Sequence, residues 1–172
     1  MHFFCKSKHS LLILKALSAS VAVLVCFADW LSKAWIKSFA ALGELPYNVF
    51  SHFNLVLVYN KGISFGMFSH NPPVWVNWVL PAFLVMITLV MLFWWIGAKE
   101  KVVITGLGFI IGGAIGNLID RFVYGAVTDF LDFYVGNYHW PAFNVADSAI
   151  FIGVSLLVIS NLYEVKKNEI PK

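Results

Sequence analysis

Residues 112–121 read G-G-A-I-G-N-L-I-D-R, residues 125–130 read G-A-V-T-D-F, and residues 141–148 read P-A-F-N-V-A-D-S. Each is the polar edge of an apolar run. Together they hold three Asp, one Arg and two Asn in a chain of 172 residues of which only 12% are charged. With charge this scarce, clusters of it mark places where the fold needs it. The surrounding sequence says what kind of fold that is: 60% of residues are hydrophobic and 17% aromatic, against roughly 45–50% apolar in an ordinary soluble domain. Runs of about 20 apolar residues, the length that crosses a bilayer as helix, use most of the chain.

Four spans are expected, at residues 11–28, 74–96, 102–119 and 142–163, in a single integral-membrane domain covering 1–172. The N-terminal run has the charged start of a secretory signal, but Lys15 interrupts it and it continues into Asp29, so it is expected to be retained. Asp29, Lys33 and Lys37 fall at i, i+4 and i+8, which suggests an ion-paired stalk reaching into the interface. Residues 49–59 are rich in β-branched and aromatic side chains, and N-K-G-I at 60–63 reads as a hairpin turn leading to S-F-G-M-F. Regions 44–70 and 122–141 are therefore expected to form a small β-hairpin or cradle outside the membrane. Asn71, Pro72 and Pro73 punctuate it, and Pro81 is a candidate kink in the second span. In the third span Gly108, Gly112 and Gly116 repeat every four residues, a flat stripe that lets another backbone approach. Ala149 and Gly153 in the fourth span form the matching small pair.

Four spans put both termini on one side, with Lys6, Lys8, Lys15, Lys99, Lys101, Lys166, Lys167 and Lys172, against Lys33, Lys37, Lys61 and Arg121 on the other. The excess of positive charge assigns the termini to the cytoplasm and the cradle and acidic clusters to the outer face. A formal net charge of +3 does not point to nucleic acid. Cys5 and Cys26 are held far apart along the first span, too far for a disulfide.

The residues that carry chemistry follow from their cost. On the third helix Gly113, Asn117 and Arg121 share a face, with Asp120 beside them; on the fourth, Asn144 and Asp147 lie at i, i+3, read as one turn inside the apolar run. An ionised Asp in a spanning helix costs about 2.5–3.5 kcal/mol at its centre. Asp129 in the preceding loop can fold back beside Asp147, and two adjacent carboxylates share one proton, which suits them to activate water and protonate a leaving amine. Two other readings stand beside this one. Asp129 caps a turn while Asp147 pairs with Arg121; or Asp129, Asp132, Asp147 and His139 bind a metal, although no metal-motif spacing is present. Asp132 is otherwise read as a solvated loop carboxylate. No G-x-S-x-G or P-loop occurs.

The ordered set D-W-L-S-K (29–33), N-K-G-I-S-F-G (60–66), G-G-A-I-G-N-L-I-D-R, V-T-D-F and F-N-V-A-D-S closely resembles the bacterial lipoprotein signal peptidases, the type II signal peptidases, over nearly the whole chain. The resemblance implies a four-helix membrane bundle with an outer β-cradle, and an aspartic peptidase using Asp129 and Asp147 as its catalytic pair. It also implies that Asp29, Lys33, Asn60, Gly62, Asn117, Asp120, Arg121 and Asn144 shape or support the site. Further implications are no cofactor and no metal, a diacylglyceryl-modified prolipoprotein as substrate, membrane lipids and no nucleic acid as partners, a monomeric state, and the bacterial inner membrane as location. Cleavage just before the lipidated Cys is implied as well. Rivals from other classes are a small transporter or proton-relay subunit and a structural assembly factor. Transport sites favour broken helices at the midplane, whereas these charges sit at span ends.

Overall fold

The structure, a computed structural model, describes residues 2–62 and 76–169. In chain order the elements are α1 (His2–Ala41), β1 (Tyr47–Phe50), β2 (Phe53–Asn60), α2 (Val76–Gly97), α3 (Lys101–Tyr124), β3 (Val127–Val135), β4 (Tyr138–His139) and α4 (Val145–Glu169). Four helices are long and apolar enough to cross a membrane, and the chain is a multi-pass membrane protein with a four-stranded antiparallel sheet in the order β1-β2-β3-β4. The expected second arm of the hairpin at 64–68, the punctuation at 71–73, the first residues of the second span and Lys172 lie outside the described residues.

The bundle is built around α3, the one helix mostly buried inside the protein. Its glycines explain why. A Cβ on Gly112 would stand 2.6 Å from the carbonyl oxygen of Ala22, and one on Gly116 would stand 2.7 Å from the Asp29 carboxylate. The stripe at Gly108, Gly112 and Gly116 is thus the seat of α1, backbone against backbone. The small pair on α4 does not meet that stripe. Gly153 faces Gly106 and Ile110, and Ala146 faces Gly113, so α4 uses a second small-residue face turned away from α1. At the end of α3 that carries Lys101, Ile104, Leu107 and Ile110 form the apolar core with Leu14 and Trp95 packed on it.

Several boundaries differ from the sequence expectation. Helix α1 is 40 residues, about 60 Å at helical rise, and Asp29 and Lys33 are only 1% and 2% exposed. They pair at 2.7 Å as the spacing suggests, but inside the bundle, because the glycine stripe draws α1 onto α3. Lys37 joins no ion pair among the described residues; its ammonium lies over the Tyr124 ring, 3.5 Å from the centroid. The stretch 49–59 is not one strand: it reverses at Ser51 and His52, with His52 at φ +78°, so that β1 pairs with β2, while the turn expected at 60–63 runs into residues outside those described. Helix α3 carries Asp120 and Arg121, as expected, and runs on to Tyr124; it stops at Gly125, whose φ of +68° lets its N–H reach the Arg121 carbonyl at 3.0 Å. Only a residue at ease in the left-handed region makes that turn cheaply. Pro81 sits inside α2.

We expect Gly112→Ala to lower the melting temperature of the detergent-solubilised protein, because the added methyl must push α1 off α3. Gly97→Ala, where a Cβ meets nothing within 4 Å, is the control and should melt like the parent. Equal melting of the two variants would show that the α1–α3 seat is not tight.

Candidate active site

Lys33 organises the polar end of the bundle. An ammonium has three donors and no acceptor, and all three find oxygens: Asp29 Oδ2 at 2.7 Å, Asn117 Oδ1 at 3.1 Å and Asp120 Oδ2 at 3.2 Å. A donor-only partner decides the orientation of the Asn117 amide, since its oxygen must face Lys33. The Asn117 NH₂ is thereby left for Asp147, donating to Oδ1 at 2.8 Å. The two carboxylates on Lys33 reach outward in turn. Asp29 Oδ1 accepts the Ala146 N–H at 2.9 Å, at the start of α4. Asp120 Oδ2 accepts the Thr128 N–H at 2.8 Å, at the start of β3. One buried cation therefore places the beginnings of the two elements that carry Asp129 and Asp147.

Asn144 does the fine positioning. It precedes α4, its Oδ1 accepts the Asp147 N–H at 2.9 Å, and its own N–H donates to Asp147 Oδ2 at 3.3 Å. This is a reciprocal capping box with Asp in the position usually held by Glu or Gln. The pair thus begins the helix rather than lying one turn inside it. The Asn144 amide donates to Asp129 Oδ1 at 2.7 Å, with the Asn117 Oδ1 and Thr128 carbonyl oxygens further off at 3.2 and 3.3 Å. Its position is locked by the neighbouring backbone: Phe143 exchanges hydrogen bonds with Leu131 of β3, its N–H donating at 3.1 Å and its carbonyl accepting at 2.9 Å. A single Asn bridges the two acids.

Asp129 lies on β3, buried, opposite Val58 of β2, and its Oδ2 accepts from Asn60 Nδ2 at 3.1 Å. Burial, and then the charge of Asp147, push its pKa up to about 7, while the Asn60 and Asn144 donors pull the other way. Desolvation raises a carboxyl pKa because the charged form loses water, and a second carboxylate adds like-charge repulsion. Asn60 Oδ1 accepts the Gly62 N–H at 3.1 Å, and Arg121 Nη2 donates to the Gly62 carbonyl at 2.7 Å. All ten residues singled out in the sequence accordingly join one connected network.

The same geometry bears on the two alternative readings of the acids. Arg121 makes no ion pair with Asp147 among the described residues; its hydrogen bond goes to Gly62. Asp132 is buried rather than solvated, accepting from Asn54 Nδ2 at 3.1 Å and facing His139 Nδ1 at 2.9 Å. Three residues from Asp129 along a strand, it points to the opposite face, and its partners are different ones. Asp132 and His139 therefore do not join Asp129 and Asp147 around a common centre, and no group of three or more His, Cys, Asp or Glu poised to hold a metal occurs among the described residues. Asn54 and the backbone of residues 128 and 143 were not singled out beforehand; neither 53–60 nor 127–133 alternates polar with apolar residues, and Asn54 meets Asp132 only through the register of β2 on β3.

Residues 21–163 match the family model for signal peptidase (SPase) II. The chain belongs to the signal peptidase II family. It is a peptidase of that family, whose relatives include a lipoprotein signal peptidase of Paraburkholderia phymatum, 44% identical over 85% of this chain and 87% of that one. Another, from Alteromonas mediterranea, is 49% identical over 64% of this chain and 62% of its own length. Two solved bacterial membrane enzymes share the fold: one, at 2.3 Å resolution, superposes with a TM-score of 0.74 at 26% identity, covering 91% of this chain and 93% of that one. The second gives a TM-score of 0.70 at 27% identity, over 86% and 93%.

Asp132, buried and bonded yet outside the network that joins Asp129 to Asp147, separates stability from chemistry. Asp132→Ala leaves Asn54 and His139 without their acceptor and should cost about 1–3 kcal/mol of stability, read by thermal melting, while peptidase turnover of the folded fraction stays within about threefold of the parent. Loss of turnover without loss of stability would bring Asp132 into the reaction.

Proposed function

We propose that the chain removes the signal peptide from diacylglyceryl-modified prolipoproteins, cutting just before the lipidated Cys, with Asp129 and Asp147 as a dyad that activates water. The observation that carries the reading is the shared hold of Asn144 on both carboxylates, one on a strand and one in the first turn of a spanning helix. With Asp129 titrating near 7, one proton is shared between the two at neutral pH. When Asp129 carries it, Asp147 takes a proton from water as the oxygen attacks the scissile carbonyl, and Asp129 donates to the developing oxyanion. Collapse of the tetrahedral intermediate breaks the C–N bond: the proton on Asp147 passes to the departing amine while one hydroxyl proton of the intermediate returns to Asp129, which releases the carboxylic acid and restores the dyad. One water is consumed and no metal or nucleotide is required.

Supporting roles follow from the contacts. Lys33, Asp29, Asp120 and Asn117 hold the two starting points of the dyad elements, while Arg121 and Asn60 fix Gly62 beside Asp129. The substrate's acyl chains stay in the bilayer, each buried methylene contributing about 0.8 kcal/mol to anchoring, and this concentrates the scissile bond at the headgroup level where the dyad lies. The termini face the cytoplasm and the dyad the opposite side of the inner membrane, in line with the distribution of lysines; the enzyme acts as a monomer.

Two measurements test the proposal. Single-turnover cleavage of a lipidated precursor should fall by at least about 10⁴-fold in Asp129→Asn and in Asp147→Asn, with the double variant little worse than either, because groups acting as a unit do not add. The matched precursor without the diacylglyceryl group should be cut poorly; equal cleavage of both precursors, or a strongly active Asp147→Asn, overturns the reading. The second measurement is the pH profile. Raising pH through about 7 strips the shared proton from the dyad, leaving both acids ionised and no proton donor, so turnover should decline on the alkaline side. Asn60→Ala removes a hydrogen bond that favours ionised Asp129, so the decline should move to higher pH. Movement to lower pH, or none, would contradict the assignment of Asp129 as the proton carrier.

A further inference from the structure

At the end of the bundle remote from the dyad, α2 and α4 both pack on α3 but hardly touch each other. Between them lies a cavity of about 870 Å³, within the range of small-molecule sites. Its walls are Trp94 and Gly97 of α2 and Leu157 and Val158 of α4, and its mouth carries Lys99 and Glu100 from the connector before α3. The level in the membrane is marked by neighbours. Trp94 and Trp95 are of the type that settles at the membrane–water boundary, and Lys15 of α1 donates to the Ile96 carbonyl with its ammonium 5.6 Å from the Trp95 ring centroid. From Val103 to Asn117 along α3 is about 21 Å, so the cavity opens at the opposite leaflet from Asp129 and Asp147.

A slot between two spanning helices, backed by a third and lined by Trp94, Leu157 and Val158 with Ser160 and Asn161 further along α4, takes an acyl chain along its apolar part. The mouth specifies the headgroup. Among the described residues neither Lys99 nor Glu100 enters an ion pair, and Glu100 makes no side-chain hydrogen bond to cap α3. A cation and a carboxylate side by side complement a headgroup bearing both signs, with phosphate toward Lys99 and a primary ammonium, able to donate three hydrogen bonds, toward Glu100. We infer that this groove is a binding site for a zwitterionic, amine-bearing phospholipid of the leaflet on the side of the termini, with one acyl chain lying between α2 and α4.

The test uses the full-length protein in detergent, titrated with phosphatidylethanolamine, phosphatidylcholine and phosphatidylglycerol of identical acyl chains, with bound lipid counted by native mass spectrometry. Phosphatidylethanolamine should be retained with up to about fivefold higher affinity than the other two, the scale of one exposed ion pair. Glu100→Gln should erase its advantage over phosphatidylcholine, and Lys99→Gln should weaken all three. Gly97→Trp should reduce binding of every headgroup, because a side chain at Gly97 points into open space and fills the slot. Should that variant fold poorly, Glu100→Gln, a near-isosteric change at an exposed residue, carries the test alone. Equal retention of the three lipids by the parent, a preference for phosphatidylglycerol, or unchanged binding in a folded Gly97→Trp overturns the inference.

Discussion

The structure depends on an ammonium group withdrawn from water. Lys33 and its two carboxylates are each almost fully enclosed, an arrangement whose desolvation cost is met only when every donor and lone pair has a partner. That requirement propagates. Asp29 satisfies its second oxygen at the first turn of α4, Asp120 offers the oxygen that meets Lys33 to the first residues of β3 as well, and Asn117 turns its amide toward Asp147. Replacing the cluster by apolar side chains would be cheap in energy and would remove the information that sets where α4 and β3 begin.

Close packing makes this possible. A charge cluster on the rim of a helix is ordinarily solvated; here Gly116 brings α3 against the Asp29 side chain, so the ion pair is shut in by backbone. The same helix presents glycines on a second face to α4. Small residues on two sides of α3 thus seat α1 and α4 closely against it, while near Val103 α2 and α4 each pack on α3 but scarcely on each other.

Much of this was legible in the residues. Hydropathy alone locates four spans, because a charge in the bilayer is costly enough to punctuate the chain. The nearness of the two acids was suggested by Asp147, which sits where an acid is expensive, and by Asp129 in the loop just before it, close enough in sequence to fold back. What escaped were features set by partners far away in sequence. Lys33 reads as interfacial until the glycine stripe is seated against α1, and Asp132 reads as a loop acid until Asn54 arrives from β2. The reversal at Ser51 and His52 went unread because neither residue is a strong turn former, yet His52 adopts the left-handed conformation, which the registration of β1 on β2 imposes. Asn144 was placed inside α4 because hydrophobicity continues through Pro141 and Phe143, whose backbone belongs to the sheet.

The i, i+4 spacing of Asp29 and Lys33 has a consequence for how the chain is made. Synthesis delivers α1 to the membrane before Asn117 and Asp120 exist, and well before Ala146 can offer its N–H. A lone lysine would have to wait there unneutralised. Because its counter-ion lies one turn earlier on the same helix, the newborn segment carries its own neutral couple into place, and the later helices then exchange a provisional local pairing for the final enclosed one. The pair is a chaperone written into the first helix, useful before the site it will serve has been synthesised.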